Sequence, residues 1–172
     1  AFNEIAPFSG AKRSFFSNSG TEANEAAIKL ARYSTKRYGM IAFLGSFHGR
    51  TLGSLALTSS KAIQRRGFGP MQAGTFHTPY ATCYRCPVGL TPNSCAAECL
   101  GFLEDQVLMH LVSPDDVAGV MVEPIQGEGG YVVPPKAFHE RLRALTTKHG
   151  MLLMVDEVQS GMGRTGKMFG IE

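Results

Sequence analysis

Residues 151–161, MLLMVDEVQSG, set five apolar residues, Met151 to Val155, directly against two acids, Asp156 and Glu157. An apolar run this short, just after Gly150, reads as a strand buried on both faces. A carboxylate at the tip of such a strand is expensive unless it is paired or hydrogen-bonded. Two readings follow. Either Asp156 caps the strand end or meets a nearby arginine, or a group bound beyond the strand carries positive charge.

Working outward, the text before this strand alternates apolar runs with helical patterns. KAFHERLRALTTKH (136–149) is opened by Pro134-Pro135 and closed by Gly150, the arrangement favoured at helix ends. VAGVMVEP (117–124) is a second buried-strand candidate, and CAAECLGFLEDQVLMHL (95–111) is helical in pattern. MIAFLG (40–45) is a third strand, followed by the turn FHGRT (47–51) and a short helix in TLGSLALTSS (51–60). TEANEAAIKLARYSTKRYG (21–39) predicts a long helix with acids Glu22 and Glu25 in its first turn, bases Lys36 and Arg37 in its last, and Gly39 as its stop. Before it, Ser14 to Phe16 reads as a short strand, and residues 61–93 read as an irregular excursion over the surface. Strands alternating with helices predict an α/β fold with a mostly parallel sheet flanked by helices. No repeat or linker interrupts it, so residues 1–172 read as one domain.

Composition narrows the function. The chain has 172 residues, 44% hydrophobic and 18% charged, with 17 basic and 14 acidic residues scattered rather than clustered. The tightest basic group, Lys61 with Arg65-Arg66, falls short of a nucleic-acid stripe, and no apolar run approaches the roughly 20 residues of a membrane helix. The first residues, AFNEIAPFSG, show no secretory signal and no initiator Met. These features set the expectation of a cytoplasmic protein whose chain begins within a longer one.

Four polar segments each follow an apolar strand candidate: SNSGTE (17–22), FHGRT, EPIQGEGG (123–130) and DEVQSG. In parallel sheets ligands bind beyond the carboxyl ends of the strands, so these segments predict one site. Ser19, Gly20 and Thr21 open a helix whose first amides and dipole favour a phosphate; plain capping by Ser17 or Ser19 is the alternative. A protonated pyridine nitrogen suits Asp156, because a charged ring nitrogen makes the ring an electron sink, and Gln159 lies within reach of an oxygen on the same ring. Phe47 offers a face for stacking and Arg50 a fork for a carboxylate; a core phenylalanine and a solvated arginine are the alternatives. Glu123 and Glu128 flank a glycine-rich loop, where paired acids suggest proton transfer or a metal, with no histidine near either in sequence.

Together, SNSGTEANEAAIKLAR, FHGRTLGSLALTS, VEPIQGEGGYVVPP and LLMVDEVQSGMGRTGKMF resemble, in order, the class III aminotransferases, pyridoxal-phosphate enzymes that include 4-aminobutyrate and ornithine aminotransferases. The resemblance implies the aspartate-aminotransferase-type fold and the central part of its large, cofactor-binding domain, truncated at both ends. By position it implies that Gly20 and Thr21 bind the phosphate of pyridoxal 5'-phosphate, that Phe47 stacks on the ring with Val158 on the other face, that Asp156 pairs with the ring nitrogen and that Gln159 bonds the phenolic oxygen. Arg50 matches an arginine for a distal substrate carboxylate, Glu128 a gate glutamate, and Glu123 a glutamate beside the active site. The family's Schiff-base lysine falls beyond Glu172 and Lys167 precedes its position, so this stretch alone is expected to have no transaminase activity. The expected reaction is amino transfer from a 4-aminobutyrate-like, omega-amino or broader set of donors to an oxo acid such as 2-oxoglutarate, in a homodimer. An amino-acid racemase or epimerase of the same family shares every cofactor contact and stands as the alternative.

All four cysteines, Cys83, Cys86, Cys95 and Cys99, fall in a Cys-rich insertion at about 78–99. A CxxC and a CxxxC separated by eight residues fit a zinc knuckle by count; a redox pair, a disulfide or free thiols are the other readings. No metal is assigned to them, and a non-catalytic zinc or interaction module is the function they alone would support.

Overall fold

The computed structural model describes residues 2–91 and 95–172. A four-residue helix, α1 (Phe2–Ile5), comes first. The segment after it stays irregular up to Asn18. The strand expected at Ser14–Phe16 is therefore absent: Phe15 and Phe16 are 79% and 72% exposed, and no neighbouring strand pairs with them among the described residues.

The long helix α2 (Gly20–Thr35) follows, and β1 (Gly39–Phe43) begins only a few residues later. The helix stops earlier than its composition predicts. Lys36 takes a left-handed conformation, φ 61°, and its amide closes on Arg32 O, so Arg32 rather than Lys36 and Arg37 stands in the last turn, and Gly39 opens the strand instead of ending the helix. The carboxylate of Glu25 leaves α2 to cap the next helix, α3 (Leu52–Leu57): its Oε1 accepts the amides of Gly53 and Ser54 and the hydroxyl of Thr51 at 2.6–3.0 Å. An acid among orphan amides is the arrangement a helix start favours.

The region read as irregular contains β2 (Thr75–Thr78), whose register Met40↔Thr75 through Phe43↔Thr78 pairs it parallel to β1. Then come α4 (Cys99–Phe102), a π-helical stretch Leu103–Val107, α5 (Leu108–His110), β3 (Val117–Val122), α6 (Lys136–Lys148) and β4 (Leu152–Val155). The helix expected from Cys95 thus starts at Cys99. These four strands pair parallel throughout, in the order β2-β1-β3-β4, which confirms the α/β reading. β4 departs from the prediction of burial on both faces. Among the described residues it stands at the edge of the sheet, and Leu152 is 39% exposed.

One sheet face packs Met40, Ala42 and Met121 against Ile28 and Ala31 of α2 and Leu57 of α3. The other packs Ile41, Phe43, Val120 and Val122 against α4, the π-helical stretch and α6, through Leu100, Leu103, Phe138 and Leu142. At its centre Phe43, Tyr80 and Phe138 meet edge-on with centroids 5.0–5.7 Å apart.

Arg141 of α6 clamps the cysteine segment. It donates to the carbonyls of Ala96 and Ala97 at 3.2 Å and pairs with Glu98 at 3.2 Å and Glu104 at 2.9 Å. The part of the expected insertion that falls at residues 92–94 lies outside the described residues. All four cysteines are free, and Cys99 is buried; among the described residues no group of three or more metal-ligating side chains is placed to hold an ion. Burial, with the neighbouring thiols, pushes Cys99 up to about 11. Arg141→Ala is expected to cost about 1–2 kcal/mol and to speed labelling of Cys99 by a thiol reagent. An unchanged labelling rate would mean that the clamp does not hold the segment.

Candidate cofactor site

A helix joined to the next strand by a short turn runs antiparallel to it. The N-terminus of α2 therefore lies at the carboxyl edge of the sheet, where the loops after β1, β3 and β4 also emerge. Strand order reverses beside β1, which has β2 on one side and β3 on the other, and such switch points form crevices. Here they enclose a cavity of about 290 Å³ lined by Ser19, Gly20, Thr21, Asn24, Phe47, His48, Gly49, Arg50, Asp156 and Val158. Seven of these, Ser19, Gly20, Thr21, Phe47, Arg50, Asp156 and Val158, are residues that the sequence singled out.

At one end stands the start of α2, with Ser19 as its cap. Gly20 permits the approach of the loop after β4: a Cβ there would lie 2.6 Å from Val158 Cγ2. Thr21 Oγ1 is 2.8 Å from Thr51 Oγ1, which ties the helix start to the FHGRT turn. At the other end is Asp156, 7% exposed. Its Oδ2 accepts Asn24 Nδ2 and His48 Nδ1, both at 2.8 Å, and its Oδ1 accepts the amide of Val158 at 3.1 Å. Burial pushes this carboxyl up, but the imidazole of His48, Asn24 and the Val158 amide outweigh it and hold the group below its ordinary value. Phe47 is half-buried, and the Arg50 guanidinium carbon lies 5.7 Å from its ring centre. The side chain of His48 is fully buried, and among the described residues its Nε2 has no hydrogen-bond partner.

Three expected residues lie outside the cavity. Gln159 is exposed and packs on Gly127, lining a neighbouring cleft with Tyr131 and Arg164. Glu128 sits at the exposed tip of the loop after β3, 3.4 Å from Lys61 Nζ. Glu123 turns inward: its two oxygens accept the amides of Phe47 and Gly127 at 3.0 and 3.1 Å. Burial raises its carboxyl above the usual range, with those amides offsetting part of the effect. It therefore fastens the turn after β1 to the loop after β3. Tyr80 supports the same loop by donating to the carbonyls of Glu123 and Pro124 at 3.0 and 3.1 Å. Neither Asn24 nor Tyr80 was marked in the sequence, because their partners are distant in the chain. Lys167 is exposed and is not among the lining residues.

A lining that combines helix amides, an ionised carboxylate and an aromatic side chain suits a ligand with an anionic group, a cationic group and a planar body. Such a cavity, at the carboxyl edge of a parallel sheet, defines a cofactor-binding α/β protein. The family model described as aminotransferase class-III matches residues 1–172, and the chain belongs to that family. It is 41% identical to an alanine/serine racemase of Pyrococcus horikoshii over 98% of this chain and 36% of that protein. It is 39% identical to a probable 4-aminobutyrate aminotransferase of Bacillus subtilis, over 98% of this chain and 38% of that protein. Among solved structures, the PLP-bound form of an amine transaminase from an uncultivated Pseudomonas species superposes with a TM-score of 0.81 at 31% identity, over 90% of this chain and 36% of that one. The chain spans little more than a third of the length of these relatives. No described helix is long and apolar enough to cross a membrane.

Proposed function

We propose that the chain is the central part of the cofactor-binding domain of a pyridoxal 5'-phosphate-dependent aminotransferase. It takes an amino group from a 4-aminobutyrate-like, omega-amino or broader set of donors and passes it to an oxo acid such as 2-oxoglutarate. The observation that carries this reading is the cavity itself, which the start of α2 and the ionised Asp156 line together in a class III chain. Amides of Gly20 and Thr21, with the helix dipole, hold the phosphate. Asp156 keeps a proton on the ring nitrogen, and Phe47 and Val158 hold the ring from its two faces. Bound pyridoxal phosphate supplies an electron sink for the bond broken at the amine-bearing carbon. Arg50, exposed at the cavity rim, takes a distal substrate carboxylate. Gln159 serves the phenolic oxygen, and Glu128 gates the entrance. Glu123 acts by holding the Phe47 backbone.

A homodimer fits the exposed apolar residues of the amino-terminal segment and α2: Phe15, Phe16, Leu30 and Tyr33 are 65–79% exposed. Unbridged thiols fit a reducing, cytoplasmic setting. The intact protein, given 4-aminobutyrate and 2-oxoglutarate, is expected to form glutamate. The racemase relative favours a second reading, in which only the α-proton moves. Loss of optical activity from a single amino-acid enantiomer without an oxo acid, together with no glutamate formation, would replace the first reading with the second.

A further inference from the structure

Asn24 joins three of the segments that build the cavity. It lies on α2, is 7% exposed, and directs its amide at two oxygens: the carbonyl of His48 and Oδ2 of Asp156, each at 2.8 Å. Both partners are acceptors, so the amide nitrogen must face them, and its two N–H groups are both committed. Oδ2 of Asp156 also receives His48 Nδ1 at 2.8 Å, whereas among the described residues Oδ1 receives only the Val158 amide. A carboxylate oxygen accommodates about two donors. Oδ2 is therefore filled and Oδ1 retains a lone pair.

We propose that Asn24 is a positioning residue that anchors Asp156 through Oδ2, so that Oδ1 alone is presented to the ring nitrogen, while the same amide group locks the turn carrying Phe47 and Arg50 to that frame. The proposal rests on the pyridoxal-phosphate reading above. Asparagine suits the position because it offers two donors on one short, rigid arm. Leucine would fill the space and donate nothing. Aspartate would keep the shape and set a second carboxylate against the first.

That contrast gives the test. Pyridoxal phosphate affinity is measured by equilibrium dialysis on the intact apoprotein at pH 8 and pH 5.5, for wild type, Asp156→Ala, Asn24→Ala and Asn24→Asp. Asn24→Ala is expected to weaken binding about 10-fold at both pH values. Asn24→Asp is expected to weaken it about 100-fold at pH 8 and to recover most of that loss at pH 5.5, where the added carboxyl shares a proton with Asp156 and donates again. A role in filling space alone would make Asn24→Asp the milder change and leave it insensitive to pH. Wild type that fails to bind, or an Asp156→Ala variant that binds equally well, would overturn the cofactor reading itself. If both behave as expected, an Asn24→Asp protein with wild-type affinity at pH 8, or one unfolded at both pH values, overturns the role of Asn24. Unfolding at pH 8 that reverses at pH 5.5 supports it, because only a proton between the two carboxyls restores the donor.

Discussion

Asp156→Asn in the intact protein is expected to slow amino transfer by about a thousandfold or more. The substitution preserves size, and with its carbonyl oxygen turned to Asn24 and His48 it removes the charge and puts an NH2 donor in place of Oδ1, the oxygen that accepts the Val158 amide. An amide cannot keep a proton on a ring nitrogen, and a neutral ring is a poor electron sink. Removal of one fixed electrostatic partner at a reacting centre sets the scale. Single-turnover rates with a saturating donor provide the measurement, and a rate within tenfold of wild type would reject the role given to Asp156. Stability supplies an independent reading of the same group. Its carboxyl is held below the ordinary value in the folded protein. Its ionised form therefore adds stability that is fully present above the unfolded-state value, near pH 4, and is lost as pH falls through the lower folded value. Wild type should consequently lose more stability than Asp156→Asn on acidification below about pH 4.

The parts of the fold that were legible are those whose identity is decided locally. β1, β3 and α6 are marked by apolar runs or by a helical pattern bounded by glycine and proline, and each lies within a few residues of its expected position. β2 was missed because TFHT is short and half-buried, and carries His77 and two threonines; only the register with β1 makes it a strand. The converse error, at Ser14–Phe16, has the same cause: two phenylalanines have high strand propensity, but no adjacent strand pairs with them among the described residues. In β4 the run of apolar residues was read as burial, whereas its edge position leaves the strand only half-covered.

The candidate site divides along a similar line. Residues that follow a strand or open a helix were found, because topology alone sends them to the carboxyl edge. What an individual carboxylate faces was not. Glu123 stands in the sequence as one of two acids around a glycine-rich loop, and only the fold shows that each of its oxygens accepts a backbone amide. Asn24 carries no signal of its own in the helix pattern, and it meets an acid 132 positions away. Such facts depend on tertiary contacts that spacing does not encode. Gln159 lies three residues after Asp156, and its place on the cleft beside Gly127 is likewise set by the fold rather than by spacing.

Gly49→Ala is expected to cost about 2–5 kcal/mol of stability and to weaken pyridoxal phosphate binding at least 100-fold. Two effects combine. At φ +128° the backbone of Gly49 lies where side-chain-bearing residues are strained. A methyl group there would also run into the side chain of Thr21 and come within 3.0 Å of Ser54 Cβ. Neither neighbour yields easily. Thr21 Oγ1 is bound to Thr51, and the Ser54 hydroxyl donates to Thr21 O at 3.0 Å. The start of α2 and the FHGRT turn must therefore separate, which moves Phe47 and Arg50 away from Asp156 and opens the phosphate end of the cavity. Gly163→Ala provides the control: its φ is +88°, but a Cβ would meet nothing within 4 Å, so it should carry only the backbone strain and leave cofactor affinity alone. Denaturant unfolding and cofactor titration of the two variants separate strain from collision. Equal losses in both would show that the close approach of Gly49 to Thr21 contributes nothing beyond backbone conformation, and that the two ends of the cavity are not held together at this point.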